Sequence, residues 1–150
     1  MGSKRMTEMF LHSDPPRIEE LDAARAWATQ EFRPYFDRLD ERPKQLIALA
    51  GTATSLASIQ QRMVTYDAEK AHNFVLSGSE VSDILEMLSL PPLARRREVV
   101  GLHPERASVI VAGVLILETV LALAGLDAMV VSEHDILYGI LLDTFHDLRE

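Results

Sequence analysis

The chain has 150 residues, 47% hydrophobic and 25% charged, with a formal net charge of -8 at pH 7. That suits one soluble globular domain with its own core and excludes a nonspecific grip on nucleic acid, which needs a basic face. There is no cysteine, so disulfides, thiolate nucleophiles and cysteine zinc sites are excluded and the expected compartment is the cytoplasm; no secretory leader is visible in the polar N-terminus.

In chain order, residues 1–11 are mixed and read as a strand end or a lead-in loop. Asp14-Pro15-Pro16 signals a helix start, with Asp14 as the cap candidate. Ile18, Leu21, Ala24, Ala28, Phe32, Tyr35, Phe36 and Leu39 recur at helical spacing, predicting a helix over 17–39 that Pro34 bends or splits. A polar turn over 40–44 leads to a short buried strand over 46–50, then a helix over 52–64, a loop over 65–71 and a short strand over 73–76. Ser77-Gly78-Ser79-Glu80 has capping-box spacing. Val81, Ile84, Leu85 and Leu88 form the apolar face of the helix after it, and Pro91-Pro92 stops that helix. Arg95-Arg96-Arg97, in a short basic helix or turn over 93–99, reads as solvated surface.

Gly101 to Pro104 is a turn, with Pro104 placed at the start of a long apolar helix that Gly125 ends. Residues 107–126 approach the roughly 20 apolar residues of a membrane span. Glu118 inside the run, Arg106 and Asp127 flanking it and amphipathic helices on either side favour a buried core helix. A strand over 128–131 follows. Ser132 with Asp135 resembles a cap for a closing amphipathic helix over 135–148.

The fold class is therefore α/β, helix-rich with a small sheet, in a single domain over 1–150. Two or three short strands do not make a self-contained doubly wound sheet. The long apolar helix is expected to cover a sheet face, which either further chain completes or a partner covers.

The candidate binding residues cluster at turns. Leu46 to Ala50 runs into Gly51-Thr52-Ala53-Thr54-Ser55, a strand-to-helix junction where amides and hydroxyls meet phosphates. Gly51 would admit close backbone approach, with Thr52 and Thr54 binding phosphate or ribose oxygens; the plainer reading makes Thr52 or Thr54 a helix cap. Glu105 suits a helix N-terminus and Arg106 does not, so Arg106 is expected to hold a carboxylate or a phosphate. Ser132-Glu133-His134-Asp135 reads as an acid/base cluster or, more plainly, as a cap. The histidines His12, His72, His103, His134 and His146 lack paired ligand spacing, so no metal site is expected. No catalytic constellation is complete.

Three spaced motifs resemble the exopolyphosphatase / guanosine pentaphosphate phosphatase (Ppx/GppA) family of the actin-like ATPase superfamily. They are Gly51 to Ala57, Gly101 to Gly113 with its Glu105-Arg106-Ala107, and Ser132 to Leu141; Arg5 to Phe10 with Asp14-Pro15-Pro16 also fits. The resemblance implies a partial actin-like (ribonuclease H-like) lobe, the second of two around a cleft. The intact protein would be a magnesium-dependent phosphohydrolase acting on inorganic polyphosphate or pppGpp. Both phosphate loops and the catalytic glutamate are missing, so no catalytic residue is assigned, the fragment is expected to be inactive alone, and the first lobe is its expected partner. Gly51, Thr52 and Thr54 would line the cleft, Glu105 and Arg106 would hold its wall or the contact between the lobes, and Ser132 would cap the last helix at its edge. Glu133-His134-Asp135-Ile136 departs from the family pattern. The alternative is a stand-alone nucleotide- or polyphosphate-binding or dimerisation module, a homodimer in the latter case, without catalysis. Nucleic acid and membrane are not expected as partners.

Overall fold

The computed structural model describes residues 2–147, with side chains through residue 144; the expected helix end at Leu148 and the His146 side chain lie outside the described residues. The elements are α1 (Ser3–Phe10), α2 (Ile18–Phe36), β1 (Ile47–Leu49), α3 (Gly51–Gln60), α4 (Ala68–Ala71), β2 (Val75–Ser77), α5 (Gly78–Ser89), α6 (Leu93–Arg96), a 3-10 turn (Pro104–Arg106), α7 (Ile110–Ala124), β3 (Ala128–Ser132) and α8 (Ile136–Asp147). The strands form one sheet in the order β1-β3-β2, with β1 parallel and β2 antiparallel to β3.

The apolar run forms α7, a 15-residue helix of about 22 Å at 1.5 Å per residue. Among the described residues no helix is long and apolar enough to cross a membrane. The expectation that α7 covers the sheet is not met. It runs between α1, α2, α3 and α5, burying Ile110, Val114 and Leu115 on one side and Ala112, Gly113 and Thr119 on the others, which is why no polar face shows in its sequence. The sheet is covered on one face by α3 instead.

Residues 3–10 are helical, against the strand or loop expectation; Met6 is fully buried in the core and Phe10 packs on Trp27 of α2, ring centroids 5.4 Å apart. Pro34 neither splits nor shortens α2, because it lies in the last turn and removes only one ladder bond there. Ile18, Tyr35 and Leu39 are exposed, so the buried stripe of α2 is narrower than its apolar spacing. Asp14 does not cap α2. Its carboxylate accepts from the Leu93 amide at 2.8 and 3.0 Å, at the start of α6. Glu20 instead accepts from the Arg17 and Ser13 amides at 2.9 and 3.2 Å, and these bonds hold its carboxyl below the usual range.

The capping box of α5 is present: the Glu80 amide donates to Ser77 Oγ at 3.2 Å and the Ser77 amide to Glu80 Oε2 at 2.7 Å. Arg96 contradicts the solvated reading of the basic run. It is buried and donates to the carbonyls of Leu88, Ala107 and Pro91 at 2.5, 3.2 and 3.0 Å, tying three segments together, while Arg95 and Arg97 stay exposed.

Candidate functional site

β1 and β3 are parallel, so their carboxyl ends lie side by side, Leu49 opposite Ser132. That end of such a sheet is where α/β folds place ligands. Directly beyond β1 the chain turns at Ala50 (φ 70°, ψ -179°), backbone that is essentially reserved for glycine and costs another residue about 1–3 kcal/mol. Ala50→Gly is therefore expected to stabilise the fold by about 1 kcal/mol, after allowing for the entropy glycine loses on folding. Thermal unfolding should read this as a rise of about 2–4 °C.

The bend leads straight into α3 at Gly51. No side chain caps it, so the cap expected from Thr52 or Thr54 is absent and the first-turn amides have no side-chain acceptor. Ser55 Oγ donates back to the Gly51 carbonyl at 2.6 Å, and Thr54 Oγ1 lies 3.5 Å from the same oxygen. Thr52 faces the other way, against Gly113 of α7, where any Cβ would overlap its hydroxyl.

Gly51 and Arg106, expected separately, meet here. A methyl group on Gly51 would overlap the Arg106 guanidinium; the bare glycine is the seat on which the arginine lies. Pro104–Arg106 is a 3-10 turn, and α7 begins only at Ile110. Pro104 and Glu105 are therefore not in the first turn of the long helix, as expected, but in the loop before it. Arg106 is exposed and makes no ion pair among the described residues.

These elements wall a cavity of about 690 Å³. Its lining includes Thr54, Ser55, Ser58, Glu105 and Arg106, together with the apolar Met63, Val64 and Leu102. Gly101, at φ +89°, brings the loop against the backbone of α3 at Ser58 and Ile59. Two lining residues escaped the sequence reading as site residues. Tyr66, between α3 and α4, donates its hydroxyl to Glu133 Oε1, just past β3. Its pKa is pushed up to about 12, first by burial, then by the Glu133 bond and charge, against the Thr54 hydroxyl and the Arg106 charge. Ser132 does not line the cavity and does not cap α8. It exchanges bonds of 3.1 Å with the His134 backbone, while Asp135 Oδ1 caps the helix by accepting from the Leu137 and Tyr138 amides at 2.9 and 3.2 Å.

Of the expected set, the structure thus brings Thr54, Glu105 and Arg106 to one cavity, with Gly51 beneath the arginine. Thr52 and Ser132 lie outside it. Over residues 1–148 the sequence matches the Ppx/GppA phosphatase family. The chain belongs to that family. Exopolyphosphatase 2 of Mycobacterium tuberculosis is 35% identical over 147 residues, which cover 95% of this chain and 46% of that protein. A bifunctional 3-dehydroquinate synthase/phosphatase of Fusobacterium nucleatum is 33% identical over 150 residues, covering 95% of this chain and 22% of that protein. The crystal structure of the Aquifex aeolicus Ppx/GppA family member superposes with a TM-score of 0.91 at 25% identity, over 99% of this chain and 48% of that one. The fold is thus the actin-like one of the Ppx/GppA proteins, and the chain spans about half the length of the exopolyphosphatase it matches.

The Ppx/GppA family implies a divalent cation. Among the described residues no group of three or more histidine, aspartate or glutamate side chains converges to hold one. The donor set here does not fit a cation held by this chain's own side chains.

Proposed function

We propose that this chain is the anion-gripping lobe of a phosphohydrolase that acts on chains of phosphoanhydrides, either inorganic polyphosphate or pppGpp. The observation that carries the reading is Arg106. It is an exposed guanidinium without an ion pair, seated on Gly51, beside the uncapped N-terminus of α3. Arginine presents a planar fork matched to phosphate oxygens, and helix amides add the positive end of a dipole. Thr54 and Ser55 add hydroxyls to the same lining.

In phosphoryl transfer the protein mostly positions the chain and neutralises charge as water attacks in line. Gripping the chain falls to this lobe; the attacking water, the metal and the catalytic carboxylate fall to the rest of a two-lobed cytoplasmic protein. A row of apolar residues supports a second body. Ile47 and Val75 flank Val130 on the sheet face opposite α3, and both are exposed. In α8, Ile136, Leu137, Ile140, Leu141 and Leu142 are exposed as well. The same surface would serve the alternative reading, a binding module that pairs with a second copy.

The test is thermal unfolding with tripolyphosphate, alongside an assay for released phosphate. The chain should be stabilised in proportion to the logarithm of ligand concentration, as mass action requires, and should release no phosphate alone. No tripolyphosphate-linked stabilisation at millimolar ligand would remove the binding role; phosphate release by this chain alone would move the chemistry into it.

A further inference from the structure

The loop after β3 joins two features that the binding reading leaves unused. Glu133 and Tyr66 both line the cavity; the Glu133 carboxylate accepts from the Tyr66 hydroxyl, and the Glu133 amide donates to His72 Nδ1 at 3.3 Å. That bond needs a lone pair on Nδ1, so His72 carries its proton on Nε2. His72 packs on His134, ring centroids 4.3 Å apart, and His134 stacks on Tyr138 of α8 at 3.9 Å and 7°. A column of two imidazoles and a phenol therefore stands behind the loop that carries Glu133.

We propose that Tyr66 and Glu133 form a latch across the mouth of the cavity, held shut by neutral His72 and opened by a proton on it. A proton taken from solvent onto Nδ1 removes the acceptor and sets N–H against N–H. The resulting imidazolium attracts the Glu133 carboxylate, which leaves the Tyr66 hydroxyl. The rim opens, and the negative charge at its edge is drawn away from the space an anion would fill. The other titratable or charged groups on the elements around the pair are Asp135 and Tyr138 on the α8 side, and Asp67, Glu69 and Lys70 on α4. Asp135 is occupied as the cap of α8, and Asp67 is paired with Lys70 at 3.3 Å. Glu69 makes no ion pair among the described residues, but Glu133 is the carboxylate whose own amide bonds the His72 ring. The latch stands whether or not the cavity takes phosphate.

Imidazoles change charge between about pH 5 and 8, and NMR of the ligand-free chain across that range tests the latch. The Tyr66 ring resonances should shift with the same midpoint as the Glu133 amide. His72→Asn keeps an acceptor near the Nδ1 position but does not titrate, so in it the Tyr66 ring should stay in its pH 8 state throughout. A Tyr66 ring indifferent to pH in the native chain, or one that titrates equally in His72→Asn, would overturn the latch. Should His72→Asn fail to fold, Tyr66→Phe decides. It removes the catch, so the pH response of the Thr54 and Gly101 amides should vanish; the same response as in the native chain would sink the proposal.

Discussion

Gly101→Ala is expected to cost about 4 kcal/mol of stability. Two penalties add at this position. Its φ of +89° lies where a side chain is strained, a cost of about 1–3 kcal/mol. A Cβ would also sit 2.7 Å from the Ile59 amide nitrogen and closer still to the Ser58 carbonyl. Those atoms belong to the backbone of α3 and cannot swing aside as a flexible side chain would, so overpacking adds a further 1–3 kcal/mol or so. Against a typical total of about 5–15 kcal/mol, the loss should lower the melting temperature by roughly 10 °C. Urea unfolding should show the midpoint falling with the slope unchanged. Because Gly101 also lines the cavity, any folded Gly101→Ala protein should show a distorted site as well. A midpoint within error of the native one would mean that the loop can move off α3 freely.

Gly101 was legible in the sequence as a turn and nothing more. The turn was visible because glycine and proline punctuate the chain, but the backbone it approaches lies about forty residues earlier. The same limit explains α7. An apolar circumference says that a helix is surrounded without saying by what. A sheet was the natural expectation, yet three short strands offer too little face, and α3 already covers it. Residues 3–10 misled for a different reason. Met6 and Phe10 are spaced as on a helix, but within so short a segment their neighbours also alternate, and period two and period 3.6 cannot be separated. Arg96 shows the cost of reading charge by runs. Its neighbours Arg95 and Arg97 behave as the run predicts, and burial of the middle one depends on carbonyls of Leu88, Pro91 and Ala107, which no composition reports.

The site divides along the same line. The junction of β1 and α3 was readable because all its signals are local: an apolar run, a glycine and three hydroxyls. Which hydroxyl faces the cavity was not readable, since one residue along a helix turns the side chain by about 100°. Two such steps, about 200°, send Thr52 to Gly113 and Thr54 to the cavity. Arg106 stood out because a cation sits badly near a helix N-terminus, an argument that pointed to a cavity-lining residue although α7 in fact starts four residues later. Tyr66 and Glu133 had no such signal as a pair, being 67 residues apart on two loops.

The second large effect falls on ligand binding. Arg106→Ala should weaken tripolyphosphate by about 10- to 100-fold, the loss expected for one charge-assisted hydrogen-bonding group worth about 1.5–3 kcal/mol. The ligand-free melting temperature should barely move, because Arg106 is exposed and makes no ion pair among the described residues, and such surface changes stay within about 0.5 kcal/mol. Arg106→Lys should fall between, keeping the charge but losing the planar fork. Gly51→Ala gives the decisive comparison. It leaves the arginine in place chemically but pushes the guanidinium off its seat, so it should reproduce the binding defect of Arg106→Ala. If Gly51→Ala binds as the native chain does while Arg106→Ala does not, the arginine acts as a loose point charge and the glycine seat carries no role. If both bind normally, the cavity at the carboxyl ends of β1 and β3 is not a phosphate site.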